Sequence, residues 1–253
     1  MNTTDIIKSF KPKNELNPKI WFLPNEKHMG DSDGQIQKMR PKVRERLLEI
    51  AYQFLDFVEI EFAITDVVLT GSLANYNWSE YSDFDIHIIT NFNQFPSNQV
   101  DLYKELFNLK KALFNKSHDI RIFGYEVELY IEDESEAHFS TGVYSILYDS
   151  WQHKPEKESV KIDKDTVKRK AKQWMDIIDG VLENIEDEDI DTAKQLINKY
   201  KEKLRKFRTC GLQDKGEYSS ENLVFKILRR NGYLEKLRGA THKILDKGLS
   251  MKQ

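Results

Sequence analysis

Cysteine is nearly absent from this chain: there is one, Cys210, in 253 residues. A single thiol cannot close an internal disulfide or build a cysteine zinc site, so neither a disulfide scaffold nor a zinc finger is expected. Glycine and proline are sparse, at 11 and 6 residues, which excludes collagen-like and low-complexity classes. Long apolar runs are missing as well. No stretch approaches the ~20 residues needed to cross a bilayer. The opening Met1-Asn-Thr-Thr-Asp is not a basic segment leading into an apolar one, so no secretory signal is expected. The reading at this point is a cytoplasmic protein with no membrane partner.

Aromatic residues, by contrast, are plentiful: 14 Phe, 11 Tyr and 4 Trp. They supply a core even though 32% of the residues are charged, which excludes disorder of the whole chain. The net charge of −3 hides an asymmetry. Residues 1–160 carry 17 Lys and Arg against 26 Asp and Glu, whereas residues 161–253 carry 22 against 16. Two units with different roles are expected. A basic second half either attracts phosphates or nucleic acid, or is a set of solvated helix faces.

Residues 1–34 show no sustained periodicity and read as an extended N-terminal arm, with Ile20, Trp21, Phe22 and Leu23 as a local anchor. An α+β unit follows over 35–158. Pro41 suits a first helical turn, and Val43, Leu47, Leu48, Ala51, Phe54, Leu55 and Val58 then recur at helical spacing. TDVVLT (65–70) reads as a buried strand. In Asp83–Thr90, Asp83, Asp85 and His87 alternate with Phe84, Ile86 and Ile88, so the two sets face opposite ways on a second strand. A helix over about 98–115, two strand-like runs around Phe123-Gly124 and a hairpin over 142–154 complete the unit. From 159 onward the pattern is helical. Asp163 or Asp165 can cap a helix to about 187, and a second runs from about Asp191 to Phe207 with Gly211 as its terminator. A third starts at Ser219 or Ser220 and breaks at Asn231-Gly232, and a last runs to about 247.

The segment that carries chemistry runs from Val67 to Ile89. It joins a strand, Gly71-Ser72, a polar connection and a strand bearing Asp83-Phe84-Asp85. Carboxylates at i and i+2 on one strand face lie about 7 Å apart at their Cα atoms. Their repulsion calls for compensation, and a divalent cation with oxygen ligands supplies it. Gly71 permits close backbone approach, and the Ser72 hydroxyl with the amides after it suits phosphate oxygens. Tyr76, Trp78, Tyr144 and Trp151 could stack on a base or simply pack.

Leu69-Thr70-Gly71-Ser72, the spacer 73–82 and Asp83-Phe84-Asp85 together resemble the signature of the DNA polymerase β-type nucleotidyltransferase superfamily. Ser82-Asp83 matches a Ser-Asp pair common there. LNPKIW (16–21), GSLANYNW (71–78), VELY (127–130), GVYS (142–145) and ENLVFKILRRNGYLEKL (221–237) make the whole chain similar to nucleotidyltransferase-like proteins of large tailed phages. A phage origin would put it in the host cytoplasm.

The resemblance implies an α+β nucleotidyltransferase fold, a small mixed β-sheet flanked by helices, followed by an all-helical domain over 159–253. It implies transfer of a nucleoside monophosphate from an NTP to an acceptor hydroxyl, with Mg²⁺ (Mn²⁺ as a substitute) held by Asp83, Asp85 and a third acid. Glu128 is the choice for that acid, with Glu126 and Glu132 competing on the same face. Nucleotide contacts would come from Gly71, Ser72, Asn75 and Ser82. Asn75 stands where many small members carry Arg, so it brings no charge. The acceptor would be a small molecule, a protein, an RNA end or a second nucleotide; nucleic acid is a possible partner, not a required one. The rival expectation is a weak or inactive nucleotide-binding scaffold acting through a protein partner.

The basic run in the helical half divides by helical spacing. Lys199, Lys203 and Lys206 share one face and Lys201, Arg205 and Arg208 another. That split favours a solvated helix over a dedicated groove.

Overall fold

The computed structural model describes residues 3–23, 37–136, 140–157, 160–185 and 189–250. The contacts divide the chain into two compact units, Pro12–Ser159 on one side and Met1–Lys11 with Val160–Gln253 on the other. The fold class is α+β: among the described residues there is a mixed six-stranded sheet with seven α-helices, and the C-terminal portion is helical.

The first helix, α1 (Thr3–Ser9), belongs to the helical unit. The expectation of an extended arm therefore needs correcting at its start, while residues 24–34 of that arm lie outside the described residues. Seven residues do not hold a helix by themselves. Ile6, Ile7 and Phe10 are buried, so tertiary packing supplies what local propensity does not.

In the sheet unit, α2 (Pro41–Val58) has Pro at its start and buries Val43, Leu47, Ile50, Ala51, Phe54 and Val58. It ends where Glu59 turns left-handed and its N–H bonds the carbonyl of Asp56. The strands are β1 (Ile64–Thr70), β2 (Phe84–Thr90), β3 (Arg121–Ile122), β4 (Tyr125–Asp133), β5 (Val143–Ser145) and β6 (Ser150–His153). They lie in the order β3-β4-β2-β1-β5-β6. β1 and β2 are antiparallel, but β2 and β4 are parallel, which demands a crossover. The helix α3 (Val100–Ser117) provides it and buries Phe107 and Phe114. Phe123 and Gly124 both have positive φ, as the tight two-residue turn between β3 and β4 requires.

Period-two alternation separates the two sheet faces. Val67, Leu69, Phe84, Ile86, Ile88, Val127 and Leu129 join α2 and α3 in one core. Trp21 is sealed into this core. Its Nε1 donates to the carbonyl of Leu73 at 2.8 Å, its ring stacks on Trp151 with centroids 4.6 Å apart, and Tyr144 meets it edge-on. On the opposite face Asp66 ties three strands together. It accepts from its neighbour Val67 N–H, from Ser145 Oγ at 2.7 Å and from Gln152 Nε2 at 2.6 Å.

The helical unit continues with α4 (Lys164–Asn184), α5 (Ile190–Lys215), α6 (Ser220–Arg230) and α7 (Tyr233–Leu249). Asp163, Asp189 and Ser219 cap α4, α5 and α6 by accepting first-turn N–H groups. One expectation fails here: α5 does not stop at Gly211 but runs on to Lys215. Gly211 serves packing instead, because a Cβ there would lie 2.4 Å from Glu221 Cβ. The terminator is Gly216, at φ +66°. Arg230 donates to Ser9 Oγ at 2.8 Å and lies over the Phe10 ring, which ties α1 to α6. Arg229 is exposed. No helix among the described residues is long and apolar enough to cross a membrane.

Two predictions follow from this packing. Trp21→Ala should destabilise the sheet unit by about 3–5 kcal/mol, measured by urea denaturation, because it empties a fully buried aromatic site and orphans the Leu73 carbonyl. For Asp66, burial raises the carboxyl pKa above its ordinary value despite the three hydrogen bonds. A raised folded-state pKa favours the fold below the unfolded pKa, and that contribution is lost as pH rises through the folded value. The melting temperature of Asp66→Asn relative to the parent should therefore climb between pH 4 and pH 7; a flat or falling difference contradicts the assignment.

Candidate active site

The exit of β1 and the entry of β2 meet at Gly71. Its φ of +73° and ψ of −159° lie in a region open essentially only to glycine. Space demands glycine as well, since a Cβ would sit 2.1 Å from Asp85 Oδ2. The Asp85 carboxylate thus lies directly on the backbone of the Gly-Ser turn. Asp83 sits just before β2 and Asp85 within it. The parallel register then places Glu128 directly opposite Asp85. One carboxylate oxygen from each of Asp83, Asp85 and Glu128 lies within 4.8 Å of the others, and all three residues are half-buried.

The two competing glutamates are held elsewhere. Glu126 is exposed and pairs with Arg121, while Glu132 Oε1 lies 2.9 Å from His87 Nδ1. His87 therefore shares the carboxylate face but is turned toward Glu132, with its ring stacked on Tyr130 at 4.7 Å.

Tyr130 is the residue that sequence reasoning missed. Its hydroxyl donates to Glu128 Oε2, and Lys111 Nζ lies 4.3 Å from its ring centroid. Burial first, then Glu128, Asp85 and Asp83, push the Tyr130 pKa well above the ordinary phenol value. The phenol therefore stays protonated and acts as a donor. The available signal was the same alternation that nominated Glu128: two residues on, Tyr130 must share its face.

The expected nucleotide contacts fall into two groups. Gly71 and Ser72 open a 3₁₀ turn, Ser72–Ala74, beside the carboxylates. Ser82 and Asn75 hold the loop. Ser82 Oγ accepts from Ser72 Oγ at 2.7 Å and from Ser79 N–H at 2.9 Å. The Asn75 amide donates to Thr141 Oγ1 and accepts from Tyr76 N–H. Residues 140–142 lean on the same turn. Gly71 N–H donates to Ser140 Oγ at 3.2 Å, and a Cβ at Gly142 would lie 2.0 Å from the Ala74 carbonyl oxygen. Ser140 and Thr141 carry no motif, and only the tertiary contact reveals them.

The aromatics considered for base stacking are packed. Tyr144 is fully buried, Trp151 stacks on Trp21, Trp78 Nε1 donates to the Glu15 carbonyl, and Tyr76 packs against the core.

Gly71→Ala should lower stability by about 1–3 kcal/mol, since alanine must adopt a glycine-only conformation and displace Asp85. Gly180, inside α4 with open space around its Cα, is the control, and Gly180→Ala should stabilise by about 0.5–1 kcal/mol. Urea denaturation of both variants checks the contrast.

Comparison with known proteins follows the same lines. A solved structure, the STING-associated CdnE c-di-GMP synthase from Capnocytophaga granulosa, aligns over 98% of each chain at 13% identity. Its TM-score of 0.24 is too low to carry an argument about this chain. No curated protein matches. The family model described as nucleotidyltransferase domain matches residues 51–205, which include Gly71-Ser72, Asp83, Asp85 and Glu128. With more than half of its length matched, the chain belongs to the nucleotidyltransferase domain family.

Proposed function

We propose that the protein is a metal-dependent nucleotidyltransferase that moves a nucleoside monophosphate from an NTP to an acceptor hydroxyl. The observation that carries this reading is the convergence of three carboxylate oxygens, from the entry of β2, from β2 itself and from the parallel β4, beside a glycine-only turn. Three like charges so close repel one another, and a bound cation would relieve that repulsion. An all-oxygen donor set fits Mg²⁺, or Mn²⁺ in its place, better than a softer metal.

Asp83, Asp85 and Glu128 would hold the cation, which when bound supplies positive charge to the phosphate oxygens. The chain's own groups do the rest. Gly71, bare of a side chain, lets the Asp85 carboxylate lie against the turn that begins at Ser72, beside which the phosphates would sit. Glu128, which accepts from the Tyr130 hydroxyl, would draw the proton of the acceptor hydroxyl toward its carboxylate. The acceptor oxygen bonds the α-phosphorus as the bond to pyrophosphate breaks, and pyrophosphate leaves. Positioning and electrostatics provide the rate.

One observation favours a second reading, a weak or inactive nucleotide-binding scaffold that acts through a protein partner. Asn75 supplies no charge near the turn, and its amide is already engaged by Thr141 and Tyr76. The acceptor itself, whether small molecule, protein, RNA end or second nucleotide, is to be read from the product.

The purified chain incubated with Mg²⁺ and each labelled NTP, with and without cell lysate, should release pyrophosphate and label one acceptor class. Asp83→Asn, Asp85→Asn and Glu128→Gln should each lower turnover by about 10³-fold or more while retaining the parental melting temperature. Full turnover in the aspartate variants sinks the proposal, and NTP binding without any product from the parent selects the scaffold.

A further inference from the structure

The basic run of α5 ends in a pocket, not on an open surface. Lys201, Arg205 and Arg208 line a concavity of about 360 Å³, and Arg238 of α7 faces them across it. No Asp or Glu lines it. Arg205 and Arg238 are exposed and have no carboxylate partner among the described residues. The other two cations are held in place by neutral groups: Lys201 Nζ donates to Thr241 Oγ1 at 2.6 Å, and Arg208 Nε donates to Asn222 Oδ1 at 3.1 Å. Arg208 also lies over the Phe225 ring, 4.5 Å from its centroid.

From this arrangement we infer that the pocket among α5, α6 and α7 binds a small organic phosphate. Planar guanidinium forks suit the oxygens of a phosphate, and a site with no acid favours a multiply charged anion. Half-buried Leu212, Phe225 and Leu234 on the same lining give the ligand's apolar body a surface to cover. The concave shape and size suit a small molecule. A nucleic-acid backbone would instead follow a continuous stripe, yet Lys199, Lys203 and Lys206 on the other face of α5 take no part in the pocket. Burial first, then the neighbouring Arg229 charge, lowers the pKa of Arg208, and Glu217 acts against them. The inference does not depend on the proposed transfer reaction, because the pocket is built entirely within the helical unit.

Phenyl phosphate titrated into the full-length protein in EDTA, followed by calorimetry, is the test. Saturable binding at one site per chain is expected. Arg205→Ala and Arg238→Ala should each weaken it about tenfold, with unchanged melting temperatures because both residues are exposed, while Lys199→Ala and Lys203→Ala should leave it unchanged. Inorganic phosphate should bind more weakly than phenyl phosphate, and Leu234→Gln should narrow that gap. Absence of saturable binding at millimolar concentrations overturns the inference. So does equal weakening by Lys203→Ala, which would mean a diffuse cationic surface. Displacement of phenyl phosphate by polyuridylate, with polyuridylate binding weakened by Lys199→Ala and Lys203→Ala, would replace the pocket with a nucleic-acid surface.

Discussion

Asp85 lies on the α-carbon of Gly71, so close that even a methyl group there would collide with its carboxylate. Much of the candidate site depends on this contact. It fixes where the backbone leaving β1 passes the strand that carries the two aspartates. The parallel register of β2 and β4 then sets Glu128 opposite Asp85. Folding holds these three acids together against their repulsion, and the opposing drive comes from the far face of the same strands. Leu69, Phe84, Ile86 and Leu129 are fully buried there, so a shift of one residue would expose that set and bury the charges.

The turn that meets Asp85 is held from several sides by chain segments distant in sequence. Trp21 binds the Leu73 carbonyl from the N-terminal segment, Ser82 closes the connecting loop onto Ser72, and residues 140–142 press on Gly71 and Ala74. Contacts from several sides limit the ways in which the turn can move relative to the carboxylates. Tyr130 plays the matching part on β4 by fixing one oxygen of Glu128.

In the helical unit the same logic applies to positive charge. Glycine at 211 lets α5 and α6 approach closely, and the next helix, α7, brings Arg238 to the cationic face of α5. Charge that looks dispersed along one helix becomes a pocket once a second helix faces it.

Much of this was legible in the residues alone. Period-two alternation identified β2 and β4 and their polar faces, helical spacing and caps identified α2 to α7, and the Gly-Ser and Asp-x-Asp pair marked the candidate site. These signals are local, because burial repeats with the geometry of a single element. The sequence narrowed the third acid to Glu126, Glu128 or Glu132, and its preference was Glu128. Which of them lies beside the aspartates depends on the register between β2 and β4, which no single strand encodes. Helix α1, the passage of α5 through Gly211, the grip of Ser140 on Gly71, and the pocket around Arg205 and Arg238 likewise came only from the tertiary structure. Each depends on contact between segments far apart in the chain, and the free energy of such a contact is not written in the periodicity of either partner.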